Sequence, residues 1–323
     1  MAVSLFVANG ELASFATSDS SLIFNYNSLG TNTANTFNYL TMDGPSNGQA
    51  GRGEFLTEFI STDSLQISRM LTGAAVTMRY WVVEFSNGCT VQHGSAFLAA
   101  TTTNIAITTV DTSQSFIIGT YKSPATVYSL AALAHAKFLT PDSIQLVVAA
   151  TVGGAKLTNF GYQVVSYGAS KVQSGTTFFA SATSAVNVTL TAVDTSKTSV
   201  FFNMITQMGN SWTAFRVCCR ARLTSPTNLL LDRIGTGGTL QTSWFVVEYT
   251  DGTVVYTDTS DVLGGTANYA FANTIDTTRS IAWAPGPWMS GGILNNNDSA
   301  SADPHRTWAR MLLSANSLQI VRG

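Results

Sequence analysis

One five-residue stretch is written three times, and its spacing restricts the folds open to the chain. Trp81-Val82-Val83-Glu84-Phe85 returns as Gln163-Val164-Val165-Ser166-Tyr167 and as Phe245-Val246-Val247-Glu248-Tyr249, with a step of 82 residues both times. Valine and the aromatics suit the pleated, half-buried geometry of a strand. Each stretch runs into a turn with glycine: Ser86-Asn87-Gly88, Tyr167-Gly168 and Asp251-Gly252. Asn-Gly and Asp-Gly supply the positive φ of two-residue hairpins, so the expectation is strand, tight turn and paired return strand. A fixed period of this size implies tandem structural units.

Other elements recur at a similar step, less regularly for the last of them. Val91-Gln92-His93-Gly94 resembles Val172-Gln173-Ser174-Gly175, with Val255 at the third position. Val110-Asp111-Thr112-Ser113, Val193-Asp194-Thr195-Ser196 and Ile275-Asp276-Thr277-Thr278 each precede an apolar run. An aspartate there can bond its own backbone two residues on, forming an Asx-turn, and that reading is preferred to a catalytic one. A fourth element, Ser64-Leu65-Gln66-Ile67, recurs as Ser143-Ile144-Gln145-Leu146, Asn228-Leu229-Leu230-Leu231 and Ser317-Leu318-Gln319-Ile320. The loops before it vary in length, as on one scaffold with variable connections.

The fold class expected is all-β: tandem antiparallel β-sandwich modules with a repeat of about 82 residues. The units are an incomplete N-terminal module with a long loop (1–85), two β-modules (86–167 and 168–249) and an incomplete C-terminal β-module (250–323). Within them, Val186, Val188 and Leu190 alternate with Asn187, Thr189 and Thr191, a clean period of two. Residues 129–139 are the best helix formers in the chain, yet their repeat partner at 216–223 reads as strand. A strand and a short helical insertion both stay open there. Strands are expected near 3–7 and 22–26, and residues 27–53 read as loop because of their Gly and Pro breakers. The final copy stops one strand short of a Trp-Val-Val-Glu-Phe element. The opening Val3-Ser4-Leu5-Phe6-Val7-Ala8-Asn9-Gly10 resembles that strand and its turn, so 3–7 is expected to complete the last module in the same subunit or, by strand exchange, in a neighbour, with a flexible N-terminal arm as the alternative.

Composition narrows function. Charged residues are 11% of the chain and the net charge is −2, which gives no basic field to gather nucleic acid. Mean hydropathy is +0.17, which hints at surface covered by other subunits. The three cysteines, Cys89, Cys218 and Cys219, make no disulfide framework. The first residues lack the pattern of a signal peptide, and no apolar run has the length of a membrane helix, so synthesis in a cytoplasm without membrane insertion is expected. His93, His135 and His305 are scattered, with no zinc spacing, nucleophile elbow, dinucleotide fingerprint or Walker motif. Neither a catalytic residue nor a cofactor or metal ligand is assigned.

Two features stand out as contact candidates. Arg216, Arg220 and Arg222 share one face of an alternating strand and could meet a carboxylate or phosphate; a solvated or locally paired face is the plainer reading. Trp288 lies in the long irregular stretch 284–305 and could stack on a sugar or pack on a neighbouring subunit.

On Trp81-Val82-Val83-Glu84-Phe85, Val91-Gln92-His93-Gly94, Val110-Asp111-Thr112-Ser113-Gln114-Ser115-Phe116 and their second copies, the chain resembles structural proteins of tailed bacteriophages. The resemblance covers roughly 55–283. It implies a non-enzymatic virion component of the tail, fibre or capsid-surface kind. The partners implied are copies of itself, other virion proteins and a host-surface glycan. The competing readings are a glycan-binding adhesin and, further behind, a polysaccharide depolymerase.

Overall fold

The computed structural model describes residues 5–11, 15–26, 33–42, 50–85, 88–98, 100–124, 134–148, 159–206, 219–233, 235–257, 266–283 and 309–322. Apart from a four-residue helical turn (Ala50–Gly53) and short 3-10 turns, their regular structure is antiparallel strand. Copy 1 holds β1 (Leu5–Glu11), β2 (Ser21–Asn25), β3 (Thr36–Met42), β4 (Leu56–Phe59), β5 (Ser64–Ser68) and β6 (Met78–Phe85). Copy 2 holds β7 (Cys89–Phe97), β8 (Thr102–Ala106), β9 (Ser115–Lys122), β10 (Ala134–Thr140), β11 (Ser143–Val148) and β12 (Asn159–Tyr167). Copy 3 follows with β13 (Ser170–Phe179), β14 (Ala185–Thr189), β15 (Thr198–Thr206), β16 (Arg220–Ser225), β17 (Asn228–Asp232) and β18 (Leu240–Tyr249). Copy 4 contributes β19 (Thr266–Ala270), β20 (Ala309–Leu313) and β21 (Ser317–Arg322).

Each of the first three copies splits into two three-stranded sheets. One orders as β1-β6-β3, β7-β12-β9 and β13-β18-β15; the other as β2-β5-β4, β8-β11-β10 and β14-β17-β16. The fourth copy shows the second kind alone, β19-β21-β20. The thrice-written stretch is always the middle strand of the first sheet. Val82 pairs with Ala8 and Asn38, Val164 with Gln92 and Ile117, and Val246 with Gln173 and Val200. All three valines and the valine after each are fully buried. A strand bonded on both edges and covered on both faces has no wet side, so its sequence runs apolar without alternation.

Three expectations are corrected by this topology. The tight turns do not make hairpins: β6 pairs with β1 and β3, whereas β7 pairs with β12. Both edges of a middle strand are taken within its own copy, so the turn after it links one copy to the next. Next, the stretch 27–53 is not all loop, because β3 lies inside it, every residue of it buried. It escaped notice because Thr36, Asn38 and Thr41 are polar yet buried, which erases the alternation that would have marked it. Copy 1 therefore has six strands and is not short of one. Finally, β1 runs straight through Asn9 and Gly10 along β6, so the opening segment is used in copy 1 and does not complete copy 4. The ambiguous stretch at 129–139 is strand from Ala134 onward, and its earlier residues lie outside the described ones.

The copies close on one another in a cycle. β4 of copy 1 packs on β9 and β12, β10 of copy 2 on β15 and β18, and β20 of copy 4 on β3 and β6 of copy 1. The same relation appears in hydrogen bonds: the Thr57 amide donates to Thr120 Oγ1 (3.2 Å), and the Met311 amide donates to Thr41 Oγ1 (3.2 Å). Thr120 and Thr41 hold the same repeat position. Between copies 3 and 4 the Val255 amide donates to the Ser196 carbonyl (2.7 Å), and Trp283 stacks on Phe201 at 5.8 Å. β1, in turn, lies against the turn Thr277–Arg279 of copy 4. Equivalent residues of successive copies also touch, as Phe37 and Phe116 do at 6.4 Å. Phe85, Tyr167 and Tyr249 do so, with centroids 4.4 and 6.5 Å apart. One hydrophobic cluster accordingly runs from Phe15 through all four copies to Met311.

Candidate functional site

The repeated aspartates are structural. Asp111, Asp194 and Asp276 each precede a 3-10 turn and accept the amide two residues on, from Ser113 (2.9 Å), Ser196 (3.0 Å) and Thr278 (2.9 Å). Those hydroxyl and amide donors hold the three carboxyls below their ordinary range. Such turns set the entry to β9 and β15 and carry no chemistry of their own.

Of the predicted contact residues, Trp288 and Arg216 lie outside the described residues. Arg220 and Arg222 both stand on β16, each with its side chain 39% exposed. Arg220 grips Asp232 of β17 with two bonds, Nε to Oδ1 (3.0 Å) and Nη2 to Oδ2 (2.6 Å), and Arg222 approaches the same carboxylate at 3.7 Å. The locally paired reading therefore describes this face, with two arginines sharing one aspartate. The opposite face of the strand carries Cys219 and Ala221, both buried.

Polar groups that the sequence did not single out sit at the seams between copies. Gln163 of β12 inserts beside β3. Its Oε1 accepts from the Asn38 amide (2.8 Å) and from Asn38 Nδ2 (3.1 Å), and its Nε2 donates to the Asn38 carbonyl (3.0 Å). That is a side chain imitating a backbone ladder across two modules. His135 of β10 meets Ser243 of β18 through Nδ1; it is fully buried, and burial together with Lys137 pushes its pKa down to about 3. For Gln163 the signal is a polar residue at a repeat position that is apolar elsewhere, where Trp81 and Phe245 stand; His135 gives no such signal, because its position holds Leu56 in copy 1 but Arg220 in copy 3.

Glu54 is a further buried titratable group. Burial raises its carboxyl well above the usual range against a weaker opposing pull from the Ser123 hydroxyl, and neither carboxylate oxygen has a hydrogen bond of good geometry. Its folded pKa lies above its unfolded one, so the fold retains a proton that the unfolded chain releases. Stability is then fullest below the unfolded value near 4.5 and falls as pH rises toward the folded value. Glu54→Gln is expected to raise Tm at pH 7 and to change it little at pH 4, as thermal unfolding at the two pH values would show.

The outward faces of the second sheets carry uncharged amide and hydroxyl pairs. Gln145 donates to Asn104 (3.0 Å), Gln319 to Asn268 (2.9 Å), Asn228 to Asn187 (2.9 Å) and Gln66 to Ser21 (3.0 Å). Phe97 and Phe178, at one repeat position on β7 and β13, are 58% and 60% exposed. A shallow cavity of about 290 Å³ at the seam of copies 2 and 3 is lined by Lys137, Phe138, Ser174, Gly175, Thr176 and Phe245. Lys137 is its single charged group, so the cavity lacks the paired acid and base of hydrolytic chemistry. Among the described residues no three His, Cys, Asp or Glu side chains converge to hold a metal ion. Cys89 and Cys219 are buried, and burial with the nearby Glu84 pushes the Cys89 thiol up to about 12, far from a reactive thiolate. No described helix is long and apolar enough to cross a membrane.

Comparison of the chain with protein-family models and with curated proteins finds no match.

Proposed function

We propose that this chain is a non-enzymatic structural protein that assembles with copies of itself and with other proteins of a particle, of the kind that forms the tail, fibre or capsid surface of a tailed bacteriophage. The observation that carries this reading is where its polar side chains are spent. Gln163, His135 and Thr57 join one copy to the next, and the repeated aspartates cap turns. The outward sheet faces present amide and hydroxyl pairs beside a few charges, with Arg220 and Arg222 paired to Asp232 in copy 3, a largely uncharged surface that neighbouring subunits can cover. Sedimentation at micromolar concentration tests the reading: oligomers or particle-bound material are expected, and a stable monomer absent from purified particles would refute it. Imaging particles that contain the protein would place it on them.

A glycan-binding role is the second reading, favoured by the exposed Phe97 and Phe178 on sheets that neighbour the amide pairs. Aromatic faces beside amides suit sugar stacking and hydrogen bonding. Saturable binding on a glycan array, lost in Phe97→Ala, Phe178→Ala or Trp288→Ala, would support it. Depolymerase activity stands behind both, and release of reducing ends from capsule or lipopolysaccharide would be its mark.

A further inference from the structure

Two seams between copies repeat one arrangement, and three exchanges leave the second of them open. At the seam of copies 1 and 2 Leu56 stands over Gly161, so closely that a Cβ on Gly161 would come within 2.5 Å of it. Beyond that contact His93 of β7 packs edge-on against the Phe59 ring (5.1 Å) and donates from Nε2 to the Thr33 carbonyl (2.9 Å). Glu58 is the charged residue that β4 brings there. At the seam of copies 2 and 3 His135 and Ser243 take the positions of Leu56 and Gly161, and they are bonded to each other. Past them the same repeat positions hold Lys137 for Glu58, Ser174 for His93 and Phe245 for Gln163, while Phe138 repeats Phe59. A hydroxymethyl group fills far less space than an imidazole. The cavity of about 290 Å³ between Lys137, Phe138, Ser174, Gly175, Thr176 and Phe245 lies where that ring is missing.

The lining combines one cation, two hydroxyls and aromatic faces. Lys137 is half-buried, and among the described residues no carboxylate pairs with it. The Ser174 and Thr176 hydroxyls are likewise not taken up by another described group. Ser174, Thr176 and Phe178 alternate along β13 with Gly175 and Thr177, so the three share one face of the strand. All three are exposed, and Phe178, at 60%, follows Thr176 by roughly 7 Å along the strand. Gln241, its partner across the ladder, brings a half-buried amide beside the ring. The face that lines the cavity thus continues past it as an aromatic platform.

We propose that this cavity binds a uronic acid residue of an acidic polysaccharide, with the neighbouring sugar of the same chain lying over Phe178. One ammonium matches the single carboxylate of such a ring. Hydroxyls that both donate and accept match the hydroxyls along its edge. The phenyl rings of Phe138 and Phe245 suit the C–H face of a pyranose, and the exposed ring of Phe178 offers the same surface to the next residue. A cavity of about 290 Å³ stands at the small end of the roughly 300–1,000 Å³ usual for ligand sites, which suits one ring. A phosphate or sulfate group is the poorer match, because the lining offers it one point charge and no guanidinium fork. At the seam of copies 1 and 2 Glu58 repels a carboxylate and His93 takes its space, so that seam binds none.

This deepens the glycan-binding reading and rests on it. The test titrates the full chain with tetragalacturonate, with its fully methyl-esterified form and with maltotetraose, read by calorimetry and by NMR shifts of backbone amides. Saturable one-to-one binding of the acid is expected, moving the amides of Lys137 and of Ser174 to Thr176. The ester and the neutral tetramer should bind about tenfold more weakly or worse, since both lack the charge. That comparison alters only the ligand, so it decides even where a variant fails to fold. Lys137→Gln should reduce the acid to the affinity of the ester, and Ser174→His, which copies the filled seam, should abolish binding. Glu58→Gln, at the other seam, should leave it unchanged. Equal affinity for acid and ester, shifts confined to other residues, or displacement of the tetramer by inorganic sulfate at equal concentration would overturn the proposal. Neutral sugars bound elsewhere, without preference for the acid, would overturn it and leave the glycan-binding reading standing. No saccharide bound at all would count against both.

Discussion

Replacing Arg69 by alanine is expected to cost about 3 kcal/mol of folding stability or more, because the guanidinium is the internal scaffold of its copy. Arg69 is 3% exposed. Its Nε donates to the Asp19 carbonyl (2.8 Å), Nη1 to Arg52 (3.1 Å) and Ala74 (2.7 Å), and Nη2 to Ala16 (2.8 Å). It also lies over the rings of Phe15 and Phe55 at 5.3 and 5.8 Å. Truncation removes the guanidinium from the buried Ala74 carbonyl and the part-buried Asp19 and Arg52 carbonyls, and the loss of those bonds adds to that of its packing on two rings. Arg233 repeats the device in copy 3, donating to Thr183, Ala180 and Ser181 over the ring of Phe179. Lysine at either site should fail to rescue, since a single ammonium cannot span carbonyls that a planar fork reaches. Urea unfolding of Arg69→Ala, Arg69→Lys and Arg233→Ala is the measurement. Arg220→Ala, which breaks an exposed pair with Asp232, should cost no more than about 1 kcal/mol.

Acid should weaken the fold through His135. Its folded pKa is pushed down to about 3, mainly by burial, from an ordinary 6.5. The unfolded chain therefore binds a proton that the folded chain refuses. The stability His135 permits is fully present above about 6.5 and is lost as pH falls toward about 3. Between pH 6.5 and 5 the loss is roughly 2 kcal/mol. Copy 1 supplies the design of a control, because Leu56 over Gly161 is the same contact without a titrating group. His135→Leu combined with Ser243→Gly should fold at pH 7 and show a flatter decline between pH 6.5 and 5 than the natural chain. An unchanged acid limb would mean that other groups set it.

The period, the strand identity of Trp81–Phe85 and its copies, and the Asx role of Asp111, Asp194 and Asp276 were legible because local chemistry alone determines them. Pairing was not. Asn87-Gly88 specifies a turn, but whether β6 returns on β7 depends on which edges remain free, and β1 and β3 fill both. The strand β3 was hidden for a related reason. Its Thr36, Asn38 and Thr41 are buried, and two of them bond a neighbouring copy, Asn38 through Gln163 and Thr41 through Met311, so their polarity misreads as exposure. Arg69 could have been found. An arginine two residues past the Ile or Leu of the fourth repeated element occurs at Arg69, Arg233 and Arg322, with Val148 in the remaining copy. The sharing of Asp232 by Arg220 and Arg222 needed cross-strand register, which a single strand's alternation cannot provide.

Closure of copy 4 on copy 1, besides the packing of β20 on β3 and β6, includes a hydrogen bond that joins residues far apart in sequence, from the Met311 amide to Thr41 Oγ1. Hydrogen exchange at the Met311 amide reads it, in the natural chain and in Thr41→Val. If the copies close in a cycle, that amide is protected in the natural chain and exchanges about tenfold faster or more in the variant, while amides of β14 in copy 3 are unchanged. A Met311 amide that exchanges freely in both proteins would contradict the closed arrangement and leave the four copies as an open array.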